Sequence, residues 1–382
     1  MPWEYKTVRA QREEFVLAAR QCGNFSALCR EFGISRKTGY KWVRRAQSGE
    51  ALDDRSRKPR RVSARTPEAI ESKILAVRAE HPGWGARKIK TVLERGAGEE
   101  GIPSARTVGA VLHRHGCIDQ EESRKRRAFQ RFEREHCNEL WQTDFKGEFR
   151  TRDGRYCYPL DIIDDHSRFA VRIAAFDSTA QAVIPVFELA FREYGLPQAV
   201  LSDNGAQFAG FRHGYTRFEN WLMELDILPL HGRVGHPQTQ GKIERFHRTM
   251  KQEFLRHHSF ADAAEAHARL QDWRHTYNMV RPHAALAMRC PGEVYAPSAR
   301  RLPERISSFE YGGQFHVIKV NNWGYVRFAG FQVYLSETMA GERIEFRPGK
   351  EGDTFVACYR NFRIAAFSTQ NGSLVNRKIS RL

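Results

Sequence analysis

Three carboxylates sit in contexts suited to chemistry on phosphates. Asp144 lies in "WQTDFKG", where alternation puts it on one face of a strand. Asp203 lies in "VLSDNG", at a strand end just before an Asn-Gly turn. Glu244 lies in "GHPQTQGKIERFHRTMKQEF", an acid inside a run of Arg, Lys, His and Gln that reads as a helix. Hard divalent ions such as Mg²⁺ take oxygen ligands and keep waters and substrate phosphates in their shell, so two or three carboxylates suffice for a site. Two such ions roughly 4 Å apart stabilise both the attacking and the leaving oxygen of an in-line phosphoryl displacement. At spacings of four and three, Gln240, Glu244, Arg248 and Lys251 share one helical face, while Ile243, Phe246, Met250 and Phe254 lie mostly on the inner one. The acid would hold metal and its basic neighbours a phosphate backbone. The plainer alternative is an i, i+4 surface pair between Glu244 and Arg248.

The segment that must position these acids, residues 138 to 300, has short apolar runs suited to strands: "ELWQTDFKGEF", "CYPLDIIDDHSRFAVRIAAF" and "PQAVLSDNG". Helical stretches, "AQAVIPVFELAFREYG" and "FENWLMELDI", alternate with them, which reads as an α/β layer. Asp161, Asp164 and Asp165 fall at the end of the second strand and the turn beyond it; they read as structural, with Asp164 pairing to Arg168. His166, His236 and His247 could approach a phosphate. Trp141, Trp221 and Trp273 lie in apolar patterns and read as core. From about residue 305 short strands with Gly and Asn turns predict a small β-barrel over 301–382.

Upstream, "GNFSALCREFGISRKTGYKWVRRA" contains two short helical patterns meeting at a turn. Leu28, Phe32, Ile34, Trp42 and Val43 would form its core, Gly33 the turn and Ser35 an N-cap, with Arg36, Lys37, Lys41, Arg44 and Arg45 along the second helix. That pattern is a helix-turn-helix, whose second helix reads a major groove; an ordinary small helical bundle with a solvated charged face is the alternative. A linker without apolar periodicity follows, ending in a basic strap with Arg57, Lys58, Arg60 and Arg61, the whole spanning 1–60. Residues 61–120 read as a second helix-turn-helix, with Ser104 as N-cap and Arg106 as a DNA contact, and the charged tract 121–137 as a connecting helix or arm. The architecture expected is therefore multidomain: all-α helix-turn-helix units, an α/β core and a β-barrel.

Composition agrees with a polyanionic partner. The 382 residues carry a formal charge of +17 and a pI near 9.8, a field that concentrates phosphates. Nucleic acid leads, and an anionic membrane surface is the alternative. No apolar run approaches the roughly 18 residues needed to span a bilayer, and the N-terminus lacks the apolar core of a signal peptide, so the expected location is the cytoplasm, at the nucleoid. The seven cysteines form no CxxC pair and residues 1 to 80 contain no histidine, which supports neither a zinc knuckle nor a disulfide framework.

Taken together, "WQTDF", "LSDNG", "HPQTQGKIERFHRTMK" and "YNMVRPHAAL" resemble, in order, flanks and spacing, the retroviral-integrase-like core of DDE transposases from bacterial insertion sequences. The upstream "HPGWGARKI" and the paired helix-turn-helix units are similar to the DNA-binding region of the same transposases. The resemblance implies an RNase H-like fold over 138–300 and a metal-binding catalytic triad of Asp144, Asp203 and Glu244. It implies two Mg²⁺ ions, with Mn²⁺ able to substitute, and double-stranded DNA (transposon ends and target) as partner of a homodimer or larger assembly. The reaction implied is cleavage at the 3′ ends followed by strand transfer. The gap of 40 residues between Asp203 and Glu244 is slightly long for such cores, an excess attributed to a loop at "GFRHGYTRF", with Glu253 the second choice of glutamate if register shifts. Two rivals stand beside it: a DNA-binding regulator with an inactive core, and a metal nuclease that cuts without joining.

Overall fold

The computed structural model describes residues 7–54, 66–97, 101–118, 133–177, 183–210, 214–232, 241–349 and 352–382. By its internal contacts the chain divides into two units, Met1–Arg65 and Thr66–Leu382.

The first unit is a trihelical bundle: α1 (Val8–Ala19), α2 (Phe25–Glu31) and α3 (Arg36–Gln47). Side-chain caps start each helix, from Thr7, Asn24 and Ser35, relieving orphan amides of the first turn. Leu28 and Trp42 are buried with Phe15, Val16, Cys29 and Leu52, and Phe32, Ile34 and Val43 pack against them. The turn between α2 and α3 runs through Gly33 at φ +63°. Gly39 lets α3 lie against α2, since a Cβ there would meet Cys29 Sγ at 2.7 Å. Sequence periodicity showed two of these helices; the third, α1, supplies Phe15 and Val16.

In the second unit α4 (Glu68–Glu80), α5 (Ala86–Ala97) and α6 (Ala105–Arg114) enclose Ile74, Trp84, Ile89, Val108, Val111 and Leu112. Ser104 caps α6, and buried Glu71 ties α4 to Arg114 and His115.

The α/β core contains β1 (Trp141–Phe145), β2 (Phe149–Arg150), β3 (Tyr156–Asp164), β4 (Ala170–Phe176), β5 (Ala199–Ser202) and β6 (Leu228–His231). The main strand order is β4-β3-β1-β5-β6, with β2 paired to the start of β3. The β4–β3–β1 pairs are antiparallel and β1–β5–β6 parallel. One face packs on α7 (Val183–Tyr194) and α8 (Arg217–Glu224), the other on α9 (Gly241–Glu253) and α10 (Ala263–His275). Strand alternation assigns residues to those faces: Trp141 and Phe145 of β1 join the α7/α8 side, which leaves Gln142 and Asp144 facing α9.

The C-terminal region is all β, but its sheets do not close into the expected barrel among the described residues. An open sheet is ordered β13-β12-β11-β10-β7, comprising Leu374–Asn376, Phe362–Ser368, Thr354–Tyr359, Arg343–Pro348 and His316–Lys319; β14 (Ser380–Arg381) pairs with β12. Among the described residues the hairpin β8–β9 (Tyr325–Phe328, Phe331–Tyr334) forms its own two-stranded sheet; it buries Val326 and Val333 in the core that holds Phe346 and Phe355, and stacks Phe328 on Phe346. Closure requires strand pairing all the way around. Here the hairpin covers the core by side-chain packing instead. Tyr215 joins that core and donates to Ile364 O at 2.6 Å, so part of the stretch expected as a surplus loop is an anchor for the C-terminal sheet.

Candidate active site and nucleic-acid interface

Parallel pairing sets Trp141 opposite Val200 and Gln142 opposite Leu201. Two residues further on come Asp144, near the end of β1, and Asp203, just past the end of β5, close enough for the charge of one to act on the other. Asp144 has about a quarter of its side chain exposed, at 23%. Burial pushes its carboxyl up to about 6, with nearby Asp203 and Asp161 adding to the rise and His247 opposing it. Asp203 accepts from Gly205 N at 2.9 Å in the turn that follows. The strand behind it is braced by a chain in which Ser202 Oγ lies 3.1 Å from His231 Nδ1 and His231 Nε2 lies 2.9 Å from Glu219.

Glu244 stands exposed on the first turn of α9, with Arg248 and Lys251 also exposed. Ile243, Phe246, Met250 and Phe254 are buried beneath them, as the periodicity required. Gln240 and His236 lie outside the described residues. That first turn is pinned to the sheet. Ile243 N donates to Gln142 Oε1 at 3.3 Å, Lys242 pairs with Asp165, and Asp165 in turn accepts from Gln142 Nε2 at 2.8 Å. One helical turn beyond Glu244, His247 reaches Asp144 at 3.8 Å and Asp161 at 2.9 Å. Among the described residues no group of three His, Cys, Asp or Glu side chains is arranged to hold a metal ion. The two aspartates are thus brought together, and Glu244 faces outward from a helix that Asp144's own neighbours hold.

Hard-cation chemistry fits this donor set. Asp144 and Asp203 offer only oxygens, and the ionised form of Asp144, disfavoured chiefly by burial and further by the neighbouring Asp203 and Asp161, is one that a divalent cation would stabilise. Glu253 does not share this setting. Arg281 grips it with two bonds of 2.7 Å, Lys88 adds one of 3.2 Å and Trp84 Nε1 one of 3.1 Å, leaving no oxygen for another task. Asp164 is structural but does not pair with the Arg168 side chain. It accepts from Ser167 and from Asn138 N, while Arg168 pairs with Glu133 at 2.9 Å. A turn residue so close in sequence is better satisfied by local backbone donors than by a long side chain. Trp141 and Trp273 are buried, and Trp221 packs against the core. Sequence reasoning passed over Gln142, read Asp161 as structural, and offered His247 only as a possible phosphate contact; the signal for Gln142 and His247 was that each lies two or three residues from a named acid.

For the basic helices, Arg36, Lys37, Lys41 and Arg44 are exposed along α3. Arg45 is engaged, pairing with Glu50 at 3.3 Å and donating to Asp53 O. Arg106 is exposed at the start of α6. Arg57, Lys58, Arg60, Arg61 and most of the tract 121–137 lie outside the described residues.

A sheet with two antiparallel pairs, a parallel extension and acids at the ends of the adjacent parallel strands is the layout of an integrase-type core, here in a chain with basic helical modules. Family models agree. The integrase core domain matches residues 134–237 and again 225–291, a helix-turn-helix domain matches 11–60, and a homeodomain-like domain matches 38–112. A protein of insertion element IS136 from Agrobacterium fabrum is 31% identical over 158 residues, covering 38% of this chain and 76% of that one. A 31.7 kDa protein of insertion element IS407 from Burkholderia multivorans is 27% identical over 236 residues, covering 60% and 81%. The transposase InsD of insertion element IS2D from Escherichia coli is 27% identical over 237 residues, covering 58% and 76%. The chain belongs to the insertion-sequence transposases with an integrase-like catalytic core and helix-turn-helix DNA-binding domains. Its core is of the polynucleotidyl transferase class. Among the described residues no helix is long and apolar enough to cross a membrane.

Proposed function

We propose that this transposase recognises the terminal inverted repeats of its element through α3 and α6, and that Asp144, Asp203 and Glu244 serve cleavage at the 3′ ends and strand transfer into target DNA. The observation that carries this reading is the parallel register of β1 and β5, Trp141 opposite Val200 and Gln142 opposite Leu201, which leads to Asp144 on one strand and to Asp203 just past the other, near enough for the charge of Asp203 to act on an Asp144 carboxyl that burial raises to about 6. Mg²⁺, or Mn²⁺ in its place, is the cation these carboxylates would hold; when bound it supplies charge to offset that developing on the phosphoryl oxygens. Asp144 and Asp203 orient that charge from the sheet, and Glu244 approaches from α9. Arg248 and Lys251, exposed on the same helix, bind the backbone of the strand being cut. Both chemical steps are phosphoryl transfers, the second using the 3′-hydroxyl that the first frees. Two ends must meet one target, so the working form is a dimer or larger assembly on DNA.

The test is an assay with labelled end DNA and a target duplex, comparing the parent with Asp203→Asn. The parent should give both nicked ends and covalently joined product only when Mg²⁺ or Mn²⁺ is added. Asp203→Asn should bind the ends and give neither product. Nicking without joining would favour a nuclease, and retention of activity within several-fold by the variant would sink the assignment.

A further inference from the structure

The acids assigned to catalysis leave one buried carboxylate unexplained. Asp161 lies on β3 directly across from Asp144, as its register partner in the antiparallel β1–β3 pair. Its neighbours along the strand, Leu160, Ile162 and Ile163, are apolar and buried. It is fully buried, at 0% exposure, and neither carboxylate oxygen receives an aligned hydrogen bond from any described group. Its close polar contact is His247 Nε2 at 2.9 Å, off the direction of an aligned bond, and the other nitrogen of that ring lies 3.8 Å from Asp144. Lys146 is near enough for its charge to act on both aspartates.

An isolated acid in such a place costs stability, because removing a carboxylate from water is repaid only by good partners. A leucine would fill the position at lower cost. What the acid does that a leucine could not is hold the imidazole. His247 sits one turn beyond Glu244 on α9 and touches Asp144, so whatever fixes this ring fixes the distance between the sheet's acids and the helix that carries the third. We propose that Asp161 is a positioning residue: by clamping His247 from inside the core it sets the orientation of Asp144 and the approach of the Glu244 turn. The inference rests on the reading of Asp144 and Glu244 as catalytic ligands.

The experiment uses the full chain in five variants: Asp161→Leu, Asp161→Asn, His247→Gln, the combination of Asp161→Leu with His247→Gln and, as reference, Asp144→Asn. For each, thermal unfolding is followed across a titration with Mg²⁺ alone and with Mn²⁺ alone, and end joining is timed at saturating cation. Asp161→Leu should fold at least as stably as the parent without cation. It should nevertheless need about tenfold more cation for its half-maximal thermal shift and join ends about ten- to a hundredfold more slowly, the usual scale for loss of a group that orients a ligand. Asp161→Asn keeps an acceptor for His247 and should recover most of both losses. His247→Gln should match Asp161→Leu, and combining the two should cost little more than either alone, since they act as one unit. An unchanged cation midpoint and joining rate in Asp161→Leu overturns the proposal, as does a combined loss equal to the product of the single losses. Should Asp161→Leu not fold, His247→Gln decides by the same two measurements. Asp144→Asn separates the levels. If it keeps the parent's response to cation, the catalytic reading of Asp144 fails; if it loses the response while Asp161→Leu keeps it, only the present inference fails.

Discussion

Asp144 bears an ill-solvated charge on the face proposed for catalysis. Its carboxyl titrates at about 6 against an ordinary 3.8, chiefly because it is buried and then because Asp203 and Asp161 are near. The folded protein therefore holds this proton more tightly than the unfolded chain. The stability it contributes is full below the ordinary carboxylate range and is lost as pH rises through about 6, on the order of 3 kcal/mol at 1.36 kcal/mol per unit. A divalent cation offsets that loss only where the carboxyl is ionised. Mg²⁺ should thus raise the unfolding temperature clearly near pH 7.5 and little near pH 5, and Asp144→Asn should flatten both the pH dependence and the cation response. Scanning calorimetry at the two pH values checks this; an equal Mg²⁺ effect at both would place the cation elsewhere.

At its C-terminal end α9 meets the second helical module through Glu253. The "HPGWGARKI" stretch docks there: Trp84 and Lys88 donate to Glu253, and a Cβ on Gly83 would lie 2.4 Å from Glu253 Cγ. Arg281 completes the buried cluster and lies 3.1 Å from His283 Nε2. Breaking a buried pair by removing one partner costs about 3–5 kcal/mol, so Glu253→Ala should destabilise the unit Thr66–Leu382 on that scale in urea unfolding. A loss below about 1 kcal/mol would show the cluster to be solvated. Acid should act in the same direction. Burial, followed by the charge of Arg281, pushes His283 down to about 2, and Arg281 and Lys88 hold Glu253 below its ordinary value despite burial. Both groups bind protons more readily when unfolded, so stability holds above about pH 6.5 and falls as the histidine's and then the carboxylate's ordinary range is crossed, a decline His283→Gln should lessen at its upper end. The sequence made the members of this cluster visible but not their meeting. Periodicity shows which face a residue takes, as it did for Ile243, Phe246 and Met250, whereas the partner on that face comes from a distant segment. The same reason hid Asp161, which sits in an apolar strand and acquires meaning only opposite His247. The open C-terminal sheet was illegible because short alternating strands with Gly turns look alike whether or not the last one pairs with the first.

At the scale of the whole molecule, a net charge of +17 draws DNA of any sequence, while the first trihelical unit carries the exposed basic helix suited to base edges. Deleting residues 1–65, one of the two units into which the chain divides, should weaken binding to the element's ends relative to random duplex and leave salt-sensitive nonspecific affinity in the remainder. Competition binding at several salt concentrations measures this. A truncated protein that footprints the ends unchanged would show that α3 is not a reader.

In the proposed function Glu244 works with Asp144 and Asp203 on one phosphate, and not as a surface partner of Arg248. The most direct measurement is the joining rate of Glu244→Gln beside Arg248→Ala and Lys251→Ala, each at low and at moderate salt, with end binding measured in parallel. Glu244→Gln keeps size and helix propensity, so it should fold, bind end DNA at least as well as the parent, and give no joined product at either salt. The two basic variants should join slowly at moderate salt and recover at low salt, because screening governs phosphate contacts and cannot restore a missing ligand. Equal recovery of all three variants at low salt would contradict the account.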